Sequence, residues 1–401
     1  MPQILTYPPV DALKAPVYSG DVDGQLEPAG ARTLVAHEWI AEVGGSENVF
    51  EQIRLAVPHS RAVCLWNGNP ARFTGVEETW LARSPMRGRN VAAMPYMGSA
   101  WKQVDLTDVE RVVVSSHAFS HHLASRAADC GIPAFAYVHS PARYVWAPEV
   151  DDRANRIVAR LGRSYFRHWD RRHVSNEVNY AANSRFVAKR VADAWGVSAS
   201  VIHPPVDIER IQRFRGELSD ADDATARSLP AQFVLGASRF VPYKNVDAAI
   251  SAGEILGVPV VLAGTGPDEA RLRAMAEQSR TPVVFVGRVS DNLLLELYRR
   301  AALFVYMAVE DFGIMPVEAM ASGTPVLVNE VGGAREGVLA VGGGVTSGWR
   351  DSRFDDPAVV EKALSIDSKR AVAAVGSFSI ASFRRNLLSW VGDVDAATEA
   401  V

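Results

Sequence analysis

The segment Leu303–Asn329, LFVYMAVEDFGIMPVEAMASGTPVLVN, decides the architecture of this chain. It opens on an apolar, β-branched run, LFVYMA, crosses a short loop, EDFG, and closes on a second apolar run, PVLVN. Between the runs, Pro316–Ser322 reads as a helix, because a proline in the first turn loses no helical hydrogen bond. Strand, helix and strand in this order form the unit of a parallel sheet covered by helices on its faces.

The same grammar extends outward. Upstream lie the strand-like runs QFVLGAS from Gln232, PVVLAG from Pro259 and PVVFVG from Pro282. The intervals Asp247–Leu256, Asp268–Gln278 and Asp291–Ala301 read as helices, two of them with plausible acidic starts at Asp268 and Asp291. An earlier series contains TLVAH from Thr33, AVCLW around Cys64, RVVVSS from Arg111, AFAYVH from Ala134 and ASVIHP from Ala199. The polar stretch Arg213–Ser228 separates the two series, and the linker falls somewhere within 204–229. Two doubly wound α/β domains facing a cleft follow as the expectation.

Composition agrees. A length of 401 residues corresponds to two or three domains. A net charge of −4, with 48% apolar and 22% charged residues, argues against long disorder and against a chain coated in basic charge for duplex DNA. Two cysteines, Cys64 and Cys130, make neither a disulfide framework nor a four-thiolate zinc site, and they fit a reducing cytosol. The first residues lack a basic segment followed by a long apolar run, and no apolar stretch reaches spanning length. Residues 1–31, rich in Pro, Gly and Asp, read as an extended arm or a substrate loop.

Several clusters carry chemistry. In the loop and helix of the opening segment, Glu310 and Glu318 can each accept hydrogen bonds from paired hydroxyls, one pair on a sugar and one on a ribose. Gly313 lets backbone approach a ligand, and the helix-start amides around Ile314–Val317 suit an anion. The alternative is a structural loop with Glu318 as a helix-dipole partner. In SRFVPYKN, Arg239 and Lys244 follow a strand and suit phosphate oxygens, or are two solvated cations. LAGTGPDEARL has Glu269 where the dinucleotide fingerprint needs its third glycine, and no Walker A sequence exists, which weakens hydride-transfer and NTPase readings.

In the first series, HEWIAEVGGSENVFEQI places Gly44 and Gly45 before a helix that Ser46 is positioned to cap; these glycines face a phosphate or sugar, or make a plain tight turn. His139 in YVHSPARYVW ends a strand, where it can meet a reacting sugar or serve as a satisfied core histidine. His121–His122 point apart on either a helix or a strand, so no metal centre is expected there; Asp21–Asp23 and Asp393–Asp395 lie at no convincing strand end. Residues 151–173 carry seven Arg and three Asp. Arg153, Arg156, Arg160, Arg163 and Arg167 make one helical face, with Ile157, Leu161, Phe166 and Trp169 as an apolar stripe. Such a helix packs on its own domain, or contacts anionic lipid or a phosphate-bearing acceptor.

Taken together, these segments resemble glycosyltransferase family 4, the retaining nucleotide-sugar transferases with a GT-B fold. The resemblance runs from about Ala36 to Gly337. It rests on the spacing of Glu310 and Glu318, on EAMASGTPV and GGARE, and on SRFVPYKN, LAGTGPDE, VGRVSDNLLLELY, AANSRFVAKRV and VIHPPVD in family order. YVHSPARYVW and HPPVD look most like the bacterial polysaccharide mannosyltransferases. The resemblance implies that Glu310 holds donor-hexose hydroxyls and Glu318 the ribose. Arg239 and Lys244 neutralise the diphosphate. Gly313, Ile314 and Met315 offer backbone contacts, and Gly45 faces the diphosphate from the other domain. Arg288 and Val289 lie near the base, and His139 stands beside the anomeric centre.

The implied organisation is an arm at 1–31, an acceptor-side domain at 32–206 joined by a crossing helix within 378–401, and a donor domain at 207–377. The run GVLAVGGGVTSGWRDSRFDD after Glu336 departs from the family, lacking its tidy turn into a final strand. The implied co-substrate is a nucleotide sugar, GDP favoured over UDP and mannose among hexoses, with no separate cofactor. The acceptor is a glycan, a lipid-linked sugar or a small molecule; nucleic acid is not a partner. Residues 151–173 are the candidate membrane contact of a cytoplasmic or peripheral protein. Rival readings are a GT-B epimerase, a sugar phosphorylase and a noncatalytic sugar-nucleotide-binding subunit.

Overall fold

The computed structural model describes residues 32–42, 44–147 and 157–398, apart from the side chains of 157–161 and 393–398. The arm at 1–31, Asp21–Asp23, Arg153 and Arg156 lie outside the described residues, as do the side chains of Ile157, Arg160, Leu161, Asp393 and Asp395.

Two parallel sheets organise the chain. The first contains β1 (Thr33–His37), β2 (Arg61–Cys64), β3 (Val76–Glu78), β4 (Arg111–Ser116), β5 (Ala134–Val138), β6 (Asn179–Ala182) and β7 (Ser200–Val201), in the order β3-β2-β1-β4-β5-β6-β7. The second contains β8 (Phe233–Ala237), β9 (Val260–Ala263), β10 (Val283–Gly287), β11 (Ala301–Tyr306), β12 (Val326–Asn329) and β13 (Gly344–Ser347), in the order β10-β9-β8-β11-β12-β13. Strands β1, β5 and β8 are buried along their whole length, as expected of sheets covered on both faces. Apolar layers line both faces of each sheet. The helix Ile380–Thr398 packs on the first sheet, where Phe383, Leu387 and Val391 join a core with Val35, Phe50, Ile53 and Phe135.

This is the GT-B architecture. Strand order reverses between β1 and β4 in one sheet and between β8 and β11 in the other, and such reversals open a crevice at the strands' carboxyl ends. The two crevices hold the side chains described below.

Two local expectations need correction. The glycine-rich run after Glu336 does turn into a final strand. The helix Ala334–Val341 ends at Gly342, with φ +67°, and β13 pairs parallel with β12. A Cβ on Gly344 would lie 2.1 Å from the Val326 carbonyl oxygen, so glycine is what lets that strand close on its neighbour. Ser46 does not cap the first helix, which starts at Gly45; its hydroxyl turns to Glu47 Oε2 at 2.8 Å. Within the polar stretch 213–228, Asp220–Ser228 forms a helix capped by Ser219.

Candidate active site

The loop after β11 is built to hold two carboxylates. Gly313 has φ +90° and caps the helix Ile314–Ala321; an added Cβ would meet the Ala334 Cβ at 2.7 Å. Only glycine fits both the backbone and the space. The Gly333 amide donates to the Glu310 carbonyl at 2.7 Å, so the GGARE segment braces the loop from beneath. Glu310 Oε1 accepts from Lys244 Nζ, and the Arg143 guanidinium of the first domain stands 3.5 Å from Glu310 Oε2. Asp311 takes three cation contacts: Arg143 Nε at 2.9 Å, Arg143 Nη2, and Arg190 Nη1 at 2.7 Å. Asp311 and Glu310 together hold the Arg143 guanidinium well above its ordinary range.

Lys244 reaches Glu310 because the short turn Pro242–Lys244 follows β8 and its neighbour Asn245 donates to the Met307 carbonyl at 3.0 Å. Arg239 leaves the same strand end but is exposed, touching Tyr243 Oη at 3.3 Å. The structure thus joins Lys244 to Glu310 and leaves Arg239 facing solvent at the mouth of the crevice. Glu318 lies one turn into its helix, 3.5 Å from Tyr298 Oη, and burial, then the Asp291 charge, pushes it up to about 7. Ile314, Met315 and Val289 are half-buried on the second core, and Arg288 is exposed at the end of β10. Gly45 sits opposite Ile314: a Cβ there would come within 3.3 Å of Ile314 Cδ1. Gly45 and Ile314 therefore meet across the cleft.

On the first-domain side, His139 follows β5 and its Nε2 lies 2.8 Å from Ser115 Oγ. Ser115 Oγ is also 3.1 Å from His37 Nδ1, and the Ser115 carbonyl is 3.2 Å from that nitrogen. Burial lowers His37 to about 4 and His139 to about 3, so both rings are neutral near pH 7. Glu38 Oε1 accepts the Ala118 and Ser120 amides at 3.0 and 2.5 Å, and burial raises that carboxyl. A seam beside the cleft joins the domains: Glu336 accepts the Arg185 amide at 2.7 Å and faces His203 Nε2 at 3.1 Å.

Arg143, Asp311, His37 and Ser115 escaped the sequence reading. Arg143 lies inside the quoted YVHSPARYVW, and Asp311 is adjacent to Glu310. His37 ends β1 and Ser115 is the penultimate residue of β4, the two strands that flank the first reversal, which was the available signal. A further correction concerns His121 and His122. Both Nε2 atoms lie 3.0 Å from Asp170 Oδ1, so the neighbouring rings converge. The helix His121–Asp129 begins there, and Asp170 sits where both rings reach it. Asp170 Oδ2 accepts the Trp146 and Trp195 indole N–H groups at 2.8 Å each, which makes Asp170 a hub tying four helices together. His121, His122 and Asp170 are the one group of donors among the described residues close enough to share a cation. In the basic helix, Arg167 and Arg171 turn inward to the Val145 and Ala194 carbonyls at 3.0 and 2.7 Å.

Residues 221–345, within the second half of the chain, match the family model described as glycosyl transferases group 1. The chain is similar to mannosyltransferases of the family 4 kind. It is 33% identical over 193 residues to the serotype-specific mannosyltransferase WbdA of Escherichia coli, a match covering 44% of this chain and 21% of that protein. It is 31% identical over 212 residues to the GDP-mannose-dependent alpha-(1-6)-phosphatidylinositol monomannoside mannosyltransferase of Mycobacterium tuberculosis, covering 47% of this chain and 53% of that one. The matched stretch thus spans about half or less of these relatives. Among solved structures, Anabaena HepE in complex with UDP superposes with a TM-score of 0.63 at 18% identity, covering 90% of this chain and 100% of that one. WaaG, a glycosyltransferase involved in lipopolysaccharide biosynthesis, gives 0.61 at 16% identity, covering 90% and 99%. No helix among the described residues is long and apolar enough to cross a membrane.

Proposed function

We propose that this chain is a retaining glycosyltransferase of polysaccharide biosynthesis. It moves a hexose, mannose favoured, from a nucleoside diphosphate sugar, GDP favoured, to a glycan, lipid-linked or small-molecule acceptor. The observation that carries this reading is Glu310, a carboxylate at the second crevice held by Lys244 of its own domain and approached by Arg143 of the other. Such a group can take the hydroxyls of a sugar lying between the domains.

In this reading, charge that builds on the departing diphosphate is met by Lys244, Arg239 and the amides at Gly313–Met315. Preorganised donors aimed at developing charge are the largest single source of rate enhancement in many enzymes. Glu318 receives the ribose hydroxyls, Arg288 and Val289 flank the base, and Gly45 admits the phosphates close to the first domain. The acceptor hydroxyl attacks on the face the diphosphate leaves, so configuration is retained. Closure across the Gly45–Ile314 contact keeps water from the donor. The basic helix, with Tyr165 exposed on it, is the surface proposed to meet anionic lipid.

A thermal-shift panel of nucleoside diphosphates and their sugars tests the reading, because a ligand that binds the folded state raises its stability by mass action. A shift for GDP with a further increment for GDP-mannose is expected. Turnover of the donor alone to a new sugar nucleotide would indicate an epimerase, and sugar phosphate from glycan and free phosphate a phosphorylase. Donor binding without transfer to any acceptor would indicate a noncatalytic subunit.

A further inference from the structure

The His37 tautomer is fixed by its surroundings. Nδ1 lies 3.2 Å from the Ser115 carbonyl oxygen, which can only accept. Nε2 is buried and has no partner among the described residues. A proton on Nε2 would be a buried orphan donor and would set the Nδ1 lone pair against the carbonyl. A proton on Nδ1 removes both penalties and leaves only an idle acceptor. His37 therefore donates from Nδ1 to the Ser115 carbonyl and shares that proton with Ser115 Oγ, 3.1 Å away.

The consequence passes to His139. Ser115 is fully buried, and among the described residues its hydroxyl has one acceptor left, His139 Nε2 at 2.8 Å. The hydroxyl proton therefore lies on that bond, and Nε2 contributes its lone pair. The remaining ring nitrogen, Nδ1, carries the proton. It bonds to no described residue, and His139 lies at the end of β5, on the crevice side of the strand reversal.

We infer that this chain of hydrogen bonds holds His139 as the neutral Nδ1–H tautomer, so that it meets the bound sugar as a hydrogen-bond donor, with His37 and Ser115 as positioning residues. This rests on the proposed function, with His139 in the place the family resemblance implies for it, beside the anomeric centre. One mechanistic consequence is that His139 has no lone pair facing the crevice and does not take the proton of the attacking hydroxyl. The new bond joins the acceptor oxygen to the anomeric carbon, the carbon–phosphate-oxygen bond breaks with its electron pair going to the diphosphate, and the acceptor proton follows to a phosphate oxygen. Glycoside and nucleoside diphosphate account for every atom. The aligned chain also strengthens the outward donor, since each bond polarises the next.

Nitrogen-15 spectra of the full chain labelled at histidine, with His139 assigned by its loss in His139→Gln, read the tautomer without substrate. The expected result is protonated Nδ1 and unprotonated Nε2. Ser115→Ala should mix the tautomers and lower kcat about tenfold while changing the donor KM little, and Ser115→Thr should restore both. His37→Asn, which keeps an N–H near the same place, should retain more activity than His37→Leu. Wild-type protein with its His139 proton on Nε2 overturns the inference, as does a Ser115→Ala variant unchanged in tautomer and kcat. A chain that transfers sugar from the Nε2–H form overturns this inference alone. The Nδ1–H form with no sugar transfer overturns the donor role together with the functional reading.

Discussion

Arg143, on a four-residue helix of the first domain, donates to the Asp311 carboxylate of the second domain while standing 3.5 Å from Glu310 Oε2. One guanidinium thus ties the contact between the domains to the position of Glu310, the carboxylate proposed to hold the sugar. Arg143→Ala should lower kcat/KM by roughly 10- to 100-fold, because small displacements of a reacting centre carry such losses. The thermal midpoint should fall only slightly, since Asp311 keeps Arg190. Arg143→Lys should recover little, as one ammonium does not reproduce a guanidinium shared between two carboxylates. Steady-state kinetics with a calorimetric melt check both parts.

Glu318 gives the site a pH signature. Its folded pKa of about 7 is raised, chiefly by burial, above the ordinary carboxyl value. The stability this protonation contributes is complete below pH ~4.5 and is lost as pH rises through about 7. Glu318→Gln should remove that dependence and gain ~1–3 kcal/mol relative to wild type above pH 8, read by urea titration at several pH values. Nucleotide binding should run the other way. Wild-type affinity for GDP should rise between pH 6 and 8 as the carboxylate forms, while the Gln variant stays flat and weak.

Gly313 is held by two independent constraints, its positive φ and the Ala334 side chain. Gly313→Ala should cost about 2–4 kcal/mol, the sum of a left-handed backbone penalty and an overpacking penalty. Adding Ala334→Gly should return the packing part alone. Denaturant midpoints of the single and double variants measure the division.

Gly45 tests closure separately. A Gly45→Val side chain would strike Ile314 Cδ1. The expected outcome is a raised donor KM with an unchanged melting temperature, and partial rescue by Ile314→Ala.

Much of this was legible in the sequence because parallel strands buried on both faces are continuous apolar runs, and TLVAH and RVVVSS coincide with β1 and β4. The edges were harder to read. β3 is three residues, VEE, with two of them exposed, and β13 begins in glycines that resemble a loop until Val326 is seen beside them. In the site, Lys244 and Glu310 carry recognisable spacing. Arg143 and Ser115 do not, since their partners are 168 and 24 positions away and only the folded cleft brings them together. His121 and His122 misled for the opposite reason: side-chain direction along a helix does not foresee a shared carboxylate such as Asp170.

The central claim is tested most directly by sugar transfer from GDP-mannose across an acceptor panel with wild type, Glu310→Ala and Lys244→Ala, each shown folded by circular dichroism. The account predicts an α-linked product, matching the donor anomer, from wild type. It also predicts a loss of at least about a hundredfold in each variant, on the order expected when a transition-state charge contact is removed. Full turnover by both variants, or an inverted product, would contradict it.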